Sequence, residues 1–73
     1  MTLNDLKSGE KGVITFISLD EKTTHRLTDM GVTSGVEVKV LRRAPLGDPI
    51  EILVRGYRLS IRKNTAVKIQ INK

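Results

Sequence analysis

Four stretches of this sequence alternate apolar and polar residues with a period of two, the repeat of a strand that buries one face. Val36, Val38 and Val40 alternate with Glu37 and Lys39, and Ile50, Ile52 and Val54 with Glu51 and Arg55. Leu59 and Ile61 are interleaved with Arg58, Ser60 and Arg62, and Val67, Ile69 and Ile71 with Lys68 and Gln70. Valine, isoleucine and threonine, seven of each, supply the β-branched residues that strands favour. A fifth stretch, Val13 to Leu19, is apolar on both faces, with Ile14 and Phe16 opposite Val13, Ile17 and Leu19. Such a strand is expected to be covered from outside as well.

The expected cover is the one helix that the pattern predicts, Glu21 to Met30, with Asp20 as its N-cap and Gly31 just past its end. Leu27 and Met30 share a face that Thr23 extends by a turn, a stripe wide enough to dock but not to form a core. Leu3 and Leu6 place a short helical turn over Thr2 to Leu6. Breaks fall at Gly31 to Gly35, at the Ala44–Pro49 loop with its two prolines, at Arg55-Gly56-Tyr57, and at Lys63-Asn64-Thr65. Arg55-Gly56-Tyr57 reads as a tight hairpin with Gly56 at positive φ. Five or six short antiparallel strands with one inserted helix predict an all-β, mainly β chain, folded as a small closed or nearly closed barrel.

At 73 residues the chain has room for one small domain, expected over 1–73. It contains no cysteine, which excludes disulfides and thiolate metal sites and fits a reducing compartment. Met1 to Gly12 carries Asp5, Lys7, Glu10 and Lys11 without an apolar core, and the longest apolar run is Ile52-Leu53-Val54. Neither a signal peptide nor a membrane span is therefore expected. The net charge of +5 is unevenly placed: residues 1–38 sum to −2 and residues 39–73 to +7. Phe16 and Tyr57 are the only aromatic residues, too few for a base-stacking platform, so a basic face would act by charge.

Catalysis is not expected. The chain has one histidine, and its glycines match neither a P-loop nor a dinucleotide fingerprint. Glu21, His25 and Asp29 fall at i, i+4 and i+8 on one helix face, a donor set suited to iron or zinc. The outer two stand about 12 Å apart on a straight helix, so only His25 with Glu21 or with Asp29 can chelate one ion. The alternative is a solvated face with ordinary helix-supporting pairs. A basic set, Arg42, Arg43, Arg55, Arg58, Arg62 and Lys63, either meets an acidic surface or keeps the barrel soluble.

The segment Arg26-Leu27-Thr28-Asp29-Met30-Gly31-Val32-Thr33-Ser34-Gly35 resembles the Arg-Leu-x-x-(Met or Leu)-Gly-(aliphatic)-x-x-Gly signature of the FeoA family. Leu3 and Leu6 before Gly9 and Gly12, Pro45-Leu46-Gly47-Asp48-Pro49-Ile50, Gly56 before Leu59-Ser60-Ile61-Arg62, and Ala66 before Ile69 follow in the family's order, from about residue 3 to 71. Ser34 departs from the proline that the family often places there. The resemblance implies an SH3-like β-barrel with a helical insertion and no catalytic activity. It implies a cytoplasmic accessory protein of bacterial ferrous iron transport, acting beside the membrane transporter FeoB and docking on its cytoplasmic GTP-binding region. No cofactor is required on this reading, and weak binding of a divalent ion such as iron or zinc is allowed. The expected docking residues are Arg26, Leu27, Met30 and Val32 around the helix end, with Arg55, Arg58 and Arg62 on the basic strand face as second choice. The rival readings are a basic nucleic-acid-binding barrel and a metal-sensing regulatory domain.

Overall fold

The structure, a computed structural model, describes residues 1–73. The alternating segments form five strands: β1 (Lys11–Ile17), β2 (Glu37–Arg43), β3 (Ile50–Val54), β4 (Tyr57–Ile61) and β5 (Ile69–Asn72). Between β1 and β2 the chain inserts α1 (Glu21–Asp29), and between β4 and β5 a single helical turn, α2 (Lys63–Ala66). A 3-10 turn over Leu3–Asp5 precedes them. All pairings are antiparallel, in the order β4-β3-β2-β1-β5. Strands β1 to β4 are a meander; β5 then crosses to the far edge beside β1. This five-stranded sheet with a short inserted helix is an SH3-like fold.

Alternation produces the buried face directly in β2 and β3: Val38 and Val40, then Ile50, Ile52 and Val54, are excluded from solvent. At the β3–β4 hairpin Arg55 (φ 49°) and Gly56 (φ 84°) are both left-handed, which gives the two-residue turn whose twist suits a hairpin. In β1 and β5 the pattern misleads. A bulge between Ile14 and Phe16 shifts the pairing of β1 with β5, so Ile14 points inward while Phe16, 60% exposed, points out. Val13 is exposed as well, and Leu19 lies beyond the strand and is half-buried. Nothing covers the outer face of β1. The expected break at Lys63-Asn64-Thr65 is α2, which rotates Val67 to the surface and starts β5 at Ile69.

The sheet does not close on itself, since β4 and β5 do not pair. Other elements fill the gap. Of the fourteen core residues, nine come from strands and five, Leu3, Leu6, Leu27, Val32 and Ala66, from the turns and helices between them. Arg43 holds the N-terminal turn in place: its guanidinium donates to Asn4 Oδ1 at 3.1 Å, to the Asn4 carbonyl, and to the Leu6 carbonyl at 2.8 Å. Arg43 is thus a structural staple, not part of a free basic face. The outer edge of β5 is covered by the first two residues, through the Thr2–Gln70 bridge and the Ile71 N–H, which donates to the Met1 carbonyl at 2.8 Å.

α1 starts and stops as its sequence demands. Asp20 Oδ2 accepts from the Thr23 N–H at 3.0 Å. At the other end Gly31 (φ 87°) donates to the Thr28 carbonyl at 2.9 Å and Val32 to the Leu27 carbonyl at 2.8 Å, the two bonds of a Schellman motif. The motif's apolar pair, Leu27 and Val32, is buried. The positive φ of Gly31 favours glycine there, and a side chain at this position would also push aside the Arg55 side chain, whose Cδ lies 2.9 Å from where a Cβ would sit.

Replacing Leu27 by Ala empties a filled position in a small core and should cost about 2–4 kcal/mol, read as a clear fall in the melting midpoint. Asp20 is held below its ordinary pKa by Thr23, through the side chain first and the backbone N–H second. Glu10 is lowered by Lys73 and by the Lys7 N–H. A lowered folded-state pKa gives stability that is full above the ordinary carboxylate range and is lost as pH falls through the lowered value. Asp20→Ala should therefore melt below the wild type at neutral pH, with the gap narrowing as both are titrated into acid.

Candidate functional site

α1 lies along the gap beside β4, and a groove of about 170 Å³ runs between them. One wall is α1, with Arg26 and Met30 at the rim and Thr23 further along; the other is Ser60, Arg62 and Thr65. Buried Leu27 and Ile61 form the floor. Two guanidinium groups therefore flank an apolar base, with no carboxylate in the lining. At the hairpin end the groove is pinched where the Tyr57 hydroxyl donates to the Met30 carbonyl.

The structure revises the expected docking set. Val32 is fully buried because it is the second apolar partner of the Schellman motif, and Leu27 is nearly so because it is the first. Neither can anchor a partner by a free side chain. Arg26 is exposed and Met30 half-buried, so these two remain on the helix side. The second-choice arginines separate. Arg62 turns into the same groove as Arg26. Arg55 sits at the hairpin tip against Gly31. Arg58 lies 3.8 Å from Glu51. The helix side and the basic strand thus meet along one seam. Ser60 and Thr65 were missed, because a lone hydroxyl on a predicted strand or break carries no signal until β4 and α2 are placed beside α1.

A larger concavity, about 320 Å³, lies over the outer faces of β1 to β3 and includes Lys11, Glu37, Lys39 and Arg55. Its walls are mainly polar, and the core residue it reaches is Val38. The smaller groove has the composition of an interface centre, with apolar and arginine groups together.

The three metal candidates are not gathered. His25 Nε2 lies 3.7 Å from Asp29 Oδ1, both side chains largely exposed, and no cluster of three or more histidine, aspartate or glutamate side chains forms anywhere in the chain. Glu21, a turn earlier on α1, does not join them. One imidazole and one carboxylate on a solvated helix fit a surface chelate and fall short of the closed donor set of a structural metal centre.

A five-stranded antiparallel sheet with a short helix inserted after its first strand defines the class of small SH3-like domains. Within that class the chain belongs to the FeoA family, whose domain model matches residues 1–73. It is similar to the Fe(2+) transport protein A/Fe(2+) transporter FeoB fusion protein of Porphyromonas gingivalis, 31% identical over 71 residues, which are 97% of this chain and 8% of that protein. The solution structure of the FeoA protein from Chlorobium tepidum has a TM-score of 0.94 at 40% identity, covering 99% of this chain and 69% of that one. The crystal structure of Stenotrophomonas maltophilia FeoA complexed with zinc has a TM-score of 0.81 at 25% identity, covering 99% and 89%. The family is linked to ferrous iron transport and is not a known enzyme family. No helix of this chain is long and apolar enough to cross a membrane.

Added Zn²⁺ should perturb the NMR signals of His25 and Asp29 without reaching stoichiometric tight binding, and His25→Ala should abolish the perturbation. The fold should survive exhaustive chelation, since a metal that supplied folding energy would unfold the chain on removal.

Proposed function

We propose that this protein is a non-enzymatic accessory factor of ferrous iron transport that works in the cytoplasm by docking on the cytoplasmic region of a FeoB-type transporter through the groove between α1 and β4. The observation that carries the reading is the convergence of Arg26, Met30 and Arg62 on one apolar floor. A relative in which this domain and the transporter are parts of one protein supports the pairing. Fusion holds two modules at high effective concentration; when they are separate chains, a docking face must do that work. Such a face draws most of its energy from a few central apolar or arginine anchors, while charges at the rim set encounter rate.

Binding to the transporter's soluble cytoplasmic region should weaken by about tenfold or more for Met30→Asp and for Arg62→Glu, each first shown to be folded. Arg58→Ala, whose side chain lies beside Glu51, should change affinity little. If the wild type fails to bind that region and instead binds DNA with an affinity that falls steeply as salt rises, the +7 of residues 39–73 serves nucleic acid and the docking reading is replaced.

A further inference from the structure

The two edges of the sheet are finished differently. On β5 the outer backbone groups are met by Met1 and Thr2, whereas β4 has no partner on its outer side. The two-residue turn makes Val54 and Tyr57 the hydrogen-bonded closing pair, and antiparallel pairing alternates from there. The main-chain N–H and C=O groups of Arg58 and Ser60 therefore point away from β3, and no backbone bond satisfies them. This open edge is one wall of the groove described above.

We propose that the edge of β4 from Arg58 to Ile61 accepts an extended acidic segment of a partner protein as an added strand, with Arg62 just beyond it. The proposal rests on the docking reading and specifies its mode. Tyr57, bonded to the Met30 carbonyl, closes the hairpin end, so addition begins near Arg58 and runs toward α2. Side chains of an added strand would alternate as those of β4 do. Those turned inward would meet half-buried Leu59 and Met30 and buried Ile61, and those turned outward would lie beside Ser60 and Arg62, the Arg58 side chain being already engaged with Glu51.

Charge selects the occupant. Arg26 and Arg62 take part in none of the four ion pairs of the structure, and the groove between them has no carboxylate. Arginine along an exposed edge discourages pairing with a second copy of the same chain, because like charges would be brought together. The same residues favour a strand that alternates apolar and acidic side chains, with main-chain bonds giving affinity and side chains giving choice.

The test measures amide hydrogen exchange by NMR on the isotopically labelled whole chain. It is saturated in turn with a short synthetic peptide alternating valine with glutamate and with the transporter's cytoplasmic region. Exchange at the Arg58 and Ser60 amides should slow by about tenfold or more in both complexes. The same peptide with lysine in place of glutamate should not bind. Ser60→Pro, which removes an outward N–H at a position where an edge strand tolerates proline, should weaken binding, and Ser60→Ala, which keeps the N–H, should not. The exchange measurement decides if Ser60→Pro fails to fold. Binding of the transporter region that is sensitive to Met30→Asp but leaves both amides unprotected would refute strand addition while preserving the docking face. Protection by the acidic peptide alone, with no binding of the transporter region, would sustain strand addition and refute the transporter as its source. No protection with either ligand refutes the proposal.

Discussion

The structure depends on filling a gap that its strands leave open. Five strands of four to seven residues cannot wrap fully around nine inward side chains, and β4 and β5 end without pairing. The remaining core surface is sealed by Leu3 and Leu6 from the 3-10 turn, Leu27 and Val32 around the end of α1, and Ala66 from α2. A chain of this size buries a smaller share of its surface than a larger domain does, so each plug carries weight. That dependence explains the polar fittings around them. Arg43 reaches from β2 to hold the turn that bears Leu3 and Leu6, and the Gly31 Schellman motif fixes the turn that bears Leu27 and Val32.

How much of this could be read from the sequence follows from how local each cause is. The β2 and β3 alternation, the Asp20 cap, the Gly31 stop and the Gly56 hairpin depend on neighbours within a few residues, and all appear where expected. The exposure of Phe16 depends on a bulge opposite β5, a pairing formed more than fifty residues away in the chain, and no period in β1 announces it. Val67 was misplaced for a related reason: Lys63-Asn64-Thr65 has the composition of a turn, and its helical winding becomes worthwhile once Ala66 can enter the gap. Arg43 looked like its neighbour Arg42, and only the carbonyls of Asn4 and Leu6 distinguish them.

The candidate site was legible in parts and not as a whole. Arg26 and Met30 could be placed near the end of α1 by local reasoning alone, and the alternation puts Arg62 on the polar face of the strand that becomes β4, though it lies just past that strand as the N-cap of α2. That they face one groove is a property of where α1 docks, and α1 docks at the gap because Leu27 is needed there. Val32 failed as a docking residue for the same reason that it was noticed. The position after a helix-ending glycine is apolar because the motif buries it, so its hydrophobicity reports on folding and not on a partner.

The floor of the groove and the wall of the core are thus the same side chains seen from two directions. Leu27 and Ile61 are held by packing inward, which means that the base of the groove is organised by the core itself. At the rim, Arg26 and Arg62 are committed to no internal ion pair, while Arg58 and Arg43 each have partners within the chain. The charge asymmetry of the sequence acquires a position in this arrangement. The later half of the chain supplies both the open strand edge and Arg62, and the earlier half, acidic in sum, contributes Arg26 on the opposite wall. On the proposed reading, like charge along this edge disfavours pairing with another copy of the chain and favours an acidic strand.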